Sequence, residues 1–203
     1  MAALRHRDQT GEGQHVDIAL QDAMLFQSDG LPTLGALGIE PTRMGNEFGF
    51  AAPANVYDCM DGAVYLGVLL DDHWKILAPI IGEAELAEHP TFASRDERAA
   101  NRDVCNMMVS EWAKRLPRGK VLKTLQAAGL PAAPVNTFPE AAKDPHVKER
   151  DMLQPVEFTN GVTMPITGPA AKFSRTPTKV RSPAPDIGQH NAEILTSIGM
   201  KTN

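Results

Sequence analysis

The chain has 203 residues, 42% of them hydrophobic, enough apolar material for one or two ordinary globular domains and too much for a disordered chain. Its net charge is −5, with 20 Lys and Arg scattered among 25 Asp and Glu, which argues against a nucleic-acid partner. Cys59 and Cys105 lack any paired spacing, no apolar run is long enough for a membrane span, and no secretion signal follows Met1, so a soluble protein of a reducing cytoplasm is expected.

Met1 to Asp8 has the composition of a helix end, with Arg5, His6 and Arg7 suited to the negative pole of the helix dipole. Gly11 to Gly13 reads as a turn, Val16, Ile18 and Leu20 alternate as a short strand, and Ala23, Met24 and Phe26 take up helical spacing. A strand between helices implies a parallel α/β sheet, yet too few residues precede the turn to supply its neighbours. Most of the core for that strand is therefore expected outside this sequence. Gly30 to Pro41, with Pro32, Gly35 and Gly38, reads as a connection between two lobes. It leads into the loop RMGNEFGFAAP, Arg43 to Pro53, in which Gly45 and Gly49 can adopt the positive φ that lets a backbone approach a ligand closely.

Ala54 to Leu70 predicts a hairpin around Asp61-Gly62. Asp71 is placed to cap a helix that buries Trp74, Leu77 and Ile81, is shortened or kinked by Pro79 and stops at Gly82. Ser94 and Glu97 form a capping box ahead of a helix with an apolar stripe of Val104, Met107, Met108 and Trp112, and Arg118 to Ala128 is a further helix stopped by Gly129. Lys114, Arg115, Arg118, Lys120 and Lys123 cluster here, a solvated face or a site for a phosphate. Leu130 to Val135 reads as an extended crossing between lobes, Asp144-Pro145 as a helix start, and Asn160-Gly161 as a second hairpin turn. Lys172 to Pro185 should run extended, and a last helix near Asn191 offers Ile194, Leu195 and Ile198 to a core. No two of His6, His15, His73, His89, His146 and His190 stand at a metal-ligand spacing, so no metal site is expected.

The run Thr10 to Ala23, TGEGQHVDIALQDA, resembles the mid-chain signature of the class III CoA-transferases, a family with carnitine CoA-transferase, formyl-CoA transferase and 2-methylacyl-CoA racemase branches. Further matching segments follow in order: Arg43-Met44-Gly45-Asn46, Asp61-Gly62, Ala100-Asn101-Arg102, Gly129 to Val135, Asp144-Pro145 and Ile187-Gly188-Gln189-His190. The resemblance implies an α/β fold, the C-terminal portion of the class III CoA-transferase fold, with part of a Rossmann-like large domain and a small α+β domain. Residues 1–40 would be the tail of the large domain and a linker, 41–130 the small domain with the active-site loop, and 131–203 the segment returning to the large domain.

By the same resemblance, Gly45, Asn46, Glu47, Phe48, Gly49 and Phe50 form the loop that folds over the thioester and are the expected substrate-binding residues. Phe48 and Phe50 are bulky where the formyl-CoA transferase branch is glycine-rich, which speaks against a substrate as small as formate or oxalate. The nucleophilic aspartate of the family lies upstream of the first helix here, and Asp8, Asp17, Asp22 and Asp29 fall where the family has solvated or structural acids, so no catalytic residue is expected in this chain. Coenzyme A enters as a thioester substrate, with no resident cofactor. Expected partners are an acyl-CoA, a carboxylic acid acceptor, and a missing N-terminal half or homologous subunit. Two other readings stay open: a fragment of a racemase, against which Leu70 stands where that branch has a glutamate, and a non-catalytic interaction module that pairs with an intact homologue.

Overall fold

The computed structural model describes residues 1–28 and 30–200, and in it the apolar alternation at Val16, Ile18 and Leu20 finds no strand to pair with. The chain divides into two units, Met1–Gly49 and a second from Phe50 onward. In the first unit, α1 (Ala2–Thr10) ends on Gly11 in the left-handed conformation, α2 spans Leu20–Phe26, and α3 spans Leu31–Ala36. None of these helices has a buried residue among those described. A strand exists through its ladder of interstrand hydrogen bonds, and no described segment of this unit supplies one. The expected strand is therefore an unpaired stretch, with Val16 60% and Ile18 77% exposed. Asp29 lies outside the described residues.

The second unit opens with the hairpin β1 (Ala54–Cys59) and β2 (Gly62–Gly67), paired from Ala54↔Gly67 to Cys59↔Gly62. Met60 and Asp61 thus make the turn, one residue earlier than the Asp61-Gly62 centre expected from sequence. α4 (Asp71–Ile81) runs two residues past Pro79 and closes on Gly82 at φ 90°. Its N-cap is Leu70, and Asp71 is the first helical residue rather than the expected cap, because its carboxylate is engaged by Arg98. After a 3₁₀ turn at Ala84–Leu86, the capping box of Ser94 and Glu97 starts α5 (Arg95–Ala100) as the sequence indicates.

α6 (Arg102–Ala113) buries Cys105, Asn106, Val109 and Ala113; of the stripe read from its larger side chains, Met108 and Trp112 pack partly buried against the core, and Val104 and Met107 face solvent. The smaller face lets the helix lie close to β1, where the Tyr57 hydroxyl donates to Asn106 Oδ1 at 2.6 Å. α7 (Arg118–Ala127) buries Val121 and Leu125 and is followed by Gly129 at φ 75°. The segment expected as a crossing is extended but paired: β3 (Ala132–Val135) joins β2 antiparallel, giving the order β1-β2-β3. Pro134 is tolerated there because an edge strand owes amides to one neighbour only. Sheet, α4, α6 and α7 enclose one core in which Leu66, Trp74, Leu77 and Leu125 are fully buried.

α8 (Phe138–Ala142) starts at a Thr137–Glu140 capping box, and α9 (Pro145–Glu149) at Asp144, whose carboxylate accepts from the His146 amide. A separate two-stranded sheet pairs β4 (Leu153–Glu157) with β5 (Thr163–Thr167) around the Asn160-Gly161 turn, as expected. Residues 172–185 hold no helix or strand, and α10 (Asn191–Ser197) keeps Ile194 and neighbouring Ile198 exposed rather than buried.

Candidate functional site

The loop expected to contact substrate falls across the division between the units: Gly45, Asn46, Glu47, Phe48 and Gly49 close the first, and Phe50 opens the second. A turn forms where the Glu47 amide donates to the Met44 carbonyl at 3.1 Å, and Gly45 takes a central position at φ 61°. That conformation favours glycine, and a Cβ at Gly45 would meet nothing within 4 Å, so the residue is set by backbone geometry and open space rather than packing. Phe48, in the first unit, is 38% exposed, and Phe50, in the second, 58%. Backbone amides in a glycine-containing loop are suited in general to binding a developing oxyanion, and aromatic rings to excluding water from it.

Past Phe50 the chain turns inward: Ala51, Ala52 and Pro53 are buried, the Ala52–Pro53 peptide is cis, and the Pro53 carbonyl accepts from the Val68 amide at 2.8 Å. Arg98 of α5 holds this root. Its Nε donates to the Ala52 carbonyl at 3.0 Å, Nη1 to the Phe92 and Ala93 carbonyls at 2.9 and 3.2 Å, and Nη2 to Asp71 Oδ1 at 3.0 Å. The guanidinium lies 5.8 Å from the centre of the Trp74 ring. Burying a charge this completely is tolerable only when it is paired and hydrogen-bonded, as it is here. Sequence reasoning missed Arg98, since in RDERAA it looks like any cation on a solvated helix; the one available signal is its place just after the Ser94–Glu97 capping box. Beside it, Leu69, Leu70, Asp71, Ser94, Arg95 and Asp96 line a cavity of about 280 Å³.

The basic cluster is neutralised only in part, with two carboxylates against five cations. Lys114 and Arg115 both pair with Glu111, and Arg118 pairs with Glu140, while Lys120 and Lys123 remain exposed on α7. Arg118 holds the Glu140 carboxyl down to about 2, helped by the Thr137 amide and hydroxyl. Among the described residues no group of His, Cys, Asp and Glu could hold a metal ion, and the buried His73 Nδ1 has no hydrogen-bond partner. No helix among them is long and apolar enough to cross a membrane.

Comparison with known proteins decides the family, because the profile described as CoA-transferase family III matches residues 1–191. The chain belongs to CoA-transferase family III. Succinyl-CoA:mesaconate CoA-transferase of Haloarcula marismortui is 32% identical to it over 100% of this chain and 51% of its own length. The succinyl-CoA–L-malate CoA-transferase beta subunit of Chloroflexus aurantiacus is 33% identical over 98% of this chain and 50% of its own. A crystal structure of a CAIB/BAIF family protein from Brucella suis superposes with a TM-score of 0.74 at 32% identity, covering 97% of this chain and 51% of that one. The chain thus spans about half the length of these family III relatives, and its α/β fold corresponds to their C-terminal portion.

Proposed function

We propose that this chain is the C-terminal part of an acyl-CoA:carboxylate CoA-transferase, bearing the loop that closes over the thioester. The family match over residues 1–191 carries the reading. Its substrates are a coenzyme A thioester and a carboxylic acid acceptor, and its setting is the cytoplasm. Relatives named for succinyl-CoA with mesaconate or L-malate, and for succinate with glutarate, favour a dicarboxylic acid. A relative named for oxalate matches as well, but the exposed rings of Phe48 and Phe50 favour the larger acids.

An aspartate from an N-terminal half or a homologous subunit attacks the thioester carbonyl, forming a mixed anhydride and releasing CoA thiolate. The thiolate attacks the aspartyl carbonyl, giving an aspartyl-CoA thioester and the free acid. An acceptor carboxylate attacks that thioester in turn, and the thiolate then takes the new acyl group and restores the aspartate. This chain's loop, Gly45 to Phe50, offers backbone amides to each oxyanion and keeps water from the anhydride.

The test is to express the chain alone and together with an N-terminal half from a family member that carries the aspartate. CoA transfer from succinyl-CoA to mesaconate, malate, glutarate and oxalate is followed by mass spectrometry. Transfer by the pair and none by the chain alone is expected. A covalent acyl or CoA adduct on this chain, or an assembled pair that transfers nothing, would overturn the reading.

A further inference from the structure

We propose that Arg98 is a positioning residue that fixes the root of the Gly45–Phe50 loop against the start of α4. The inference rests on the loop's assigned role above, but its geometry stands by itself. One planar guanidinium joins three places distant in sequence: Ala52, two residues beyond Phe50; the Phe92 and Ala93 carbonyls ahead of α5; and Asp71 at the first turn of α4. Arg98 is 0% exposed, whereas the Asp71 side chain is 50% exposed and lines the 280 Å³ cavity. The same group therefore links the loop's exit to the wall of a solvent-reached cavity.

Arginine suits this task and lysine does not. The rigid fork sends Nε, Nη1 and Nη2 in separate fixed directions, and an ammonium concentrates its donors at one point that cannot reach Ala52, Phe92 and Asp71 together. Loss of the fork leaves the fully buried Ala52 carbonyl without this donor, and the backbone beside Phe50 can relieve that only by moving. The effect is local, because Val109, Val121 and Leu125 are held by apolar packing that does not involve the guanidinium.

Chymotrypsin reads this directly, since the bond after Phe50 is shielded by Ala51, which is 2% exposed. In the isolated chain, Arg98→Lys should speed cleavage after Phe50 by roughly tenfold or more relative to cleavage after Trp112 and Leu125, which pack in the core on α6 and α7 away from the guanidinium. Arg98→Ala should do the same, with methylguanidinium restoring slow cleavage. A folded Arg98→Lys variant cut like the wild type would overturn the proposal, as would acceleration shared equally by the Trp112 and Leu125 sites. If Arg98→Lys does not fold, Asp71→Asn decides by the same ratio: it leaves the fully buried guanidinium without its anion, so faster cleavage after Phe50 is expected, and a ratio equal to that of the wild type would overturn the proposal. A reconstituted enzyme without transferase activity would remove the loop's catalytic task and leave this cleavage ratio as it is, so the two readings fail separately.

Discussion

Arg118 Nη2 lies 2.7 Å from Glu140 Oε1, while the Arg118 amide donates to Asp61 Oδ1 and its Nη1 to the Val135 carbonyl. One residue at the first turn of α7 thereby ties together the β1–β2 turn, the end of β3 and α8. The Asp61 carboxylate completes that helix start from another part of the chain, where Pro117 has no side chain to cap it.

Glu140 should consequently titrate far below an ordinary glutamate. Its carboxyl is lowered from 4.5 to about 2, first by the Arg118 hydrogen bond. A depressed folded value means the pair's contribution is fully present above pH 4.5 and is lost as pH falls toward 2. Carbon NMR of the side-chain carboxyl should show this low midpoint, and Arg118→Gln should move it back up. A midpoint that ignores the substitution would show that Arg118 is not its cause.

Trp74 should be the most costly single position in the second unit. It is fully buried, its Nε1 donates to the Leu86 carbonyl at 3.0 Å, and its ring lies tilted against Phe92, centroids 6.1 Å apart, with the Arg98 guanidinium 5.8 Å from its centre. Trp74→Ala is expected to cost about 3–5 kcal/mol by chemical denaturation, the usual range for an aromatic deletion that leaves a cavity. Trp74→Phe should cost less yet still be destabilising, since the Leu86 carbonyl loses its donor.

The two thiols should separate by reactivity. Burial pushes Cys105 up to about 11, against the lowering effect of Arg98; burial, Asp61 and Asp58 also raise half-buried Cys59. Iodoacetamide at mildly alkaline pH should label Cys59 first, with Cys105 protected until denaturant unfolds α6. Equal labelling in the native protein would contradict the packing of that helix.

Gly45 tests the loop without testing the core. With φ at 61° and no atom within 4 Å of an added Cβ, Gly45→Ala meets no clash and pays only the left-handed backbone cost of about 1–2 kcal/mol, confined to the turn. The melting temperature of the second unit should not change. In the assembled enzyme kcat should fall while KM is kept, because the amides would be misaimed at the transition state rather than at bound substrate.

Features governed by neighbouring residues were legible in the sequence: the Ser94–Glu97 capping box, the Asn160-Gly161 turn, the stop at Gly82 and the cap at Asp144 all depend on chemistry within a few positions. Features governed by distant partners were not. Asp71 had every local mark of an N-cap, yet a guanidinium from α5 claims its carboxylate. The stripe on α6 was read from its largest apolar side chains; Met108 and Trp112 of it reach the core, but close approach to β1 placed Cys105, Val109 and Ala113 at the centre and left Val104 and Met107 outside. The Gly45–Phe50 segment was picked out by its glycines and by family resemblance, and Arg98 behind it was not, since burial of a cation leaves no periodic signal. Pairing of Ala132–Val135 with β2 escaped notice because an edge position suits proline as well as a crossing does.

The final expectation concerns the first unit, where apolar side chains face solvent. Val16, Ile18, Leu20 and Phe26 are all exposed, and no residue of α1, α2 or α3 is buried. Fully burying each would contribute roughly 1.5–3 kcal/mol, so their exposure leaves the unit poorly stabilised by its own contacts and prone to associate. The second unit has its own core and should unfold cooperatively. Amide exchange should therefore be slow from Val56 to Leu125 and fast across 10–24. Replacing Ile18 and Phe26 with Ser should reduce binding of an apolar dye and self-association in sedimentation runs, with the denaturation midpoint of the second unit unchanged. A large drop in that midpoint would mean that these side chains support the core after all, whereas slow exchange across 10–24 that appears only when an N-terminal family half is added would identify the surface they are shaped to meet.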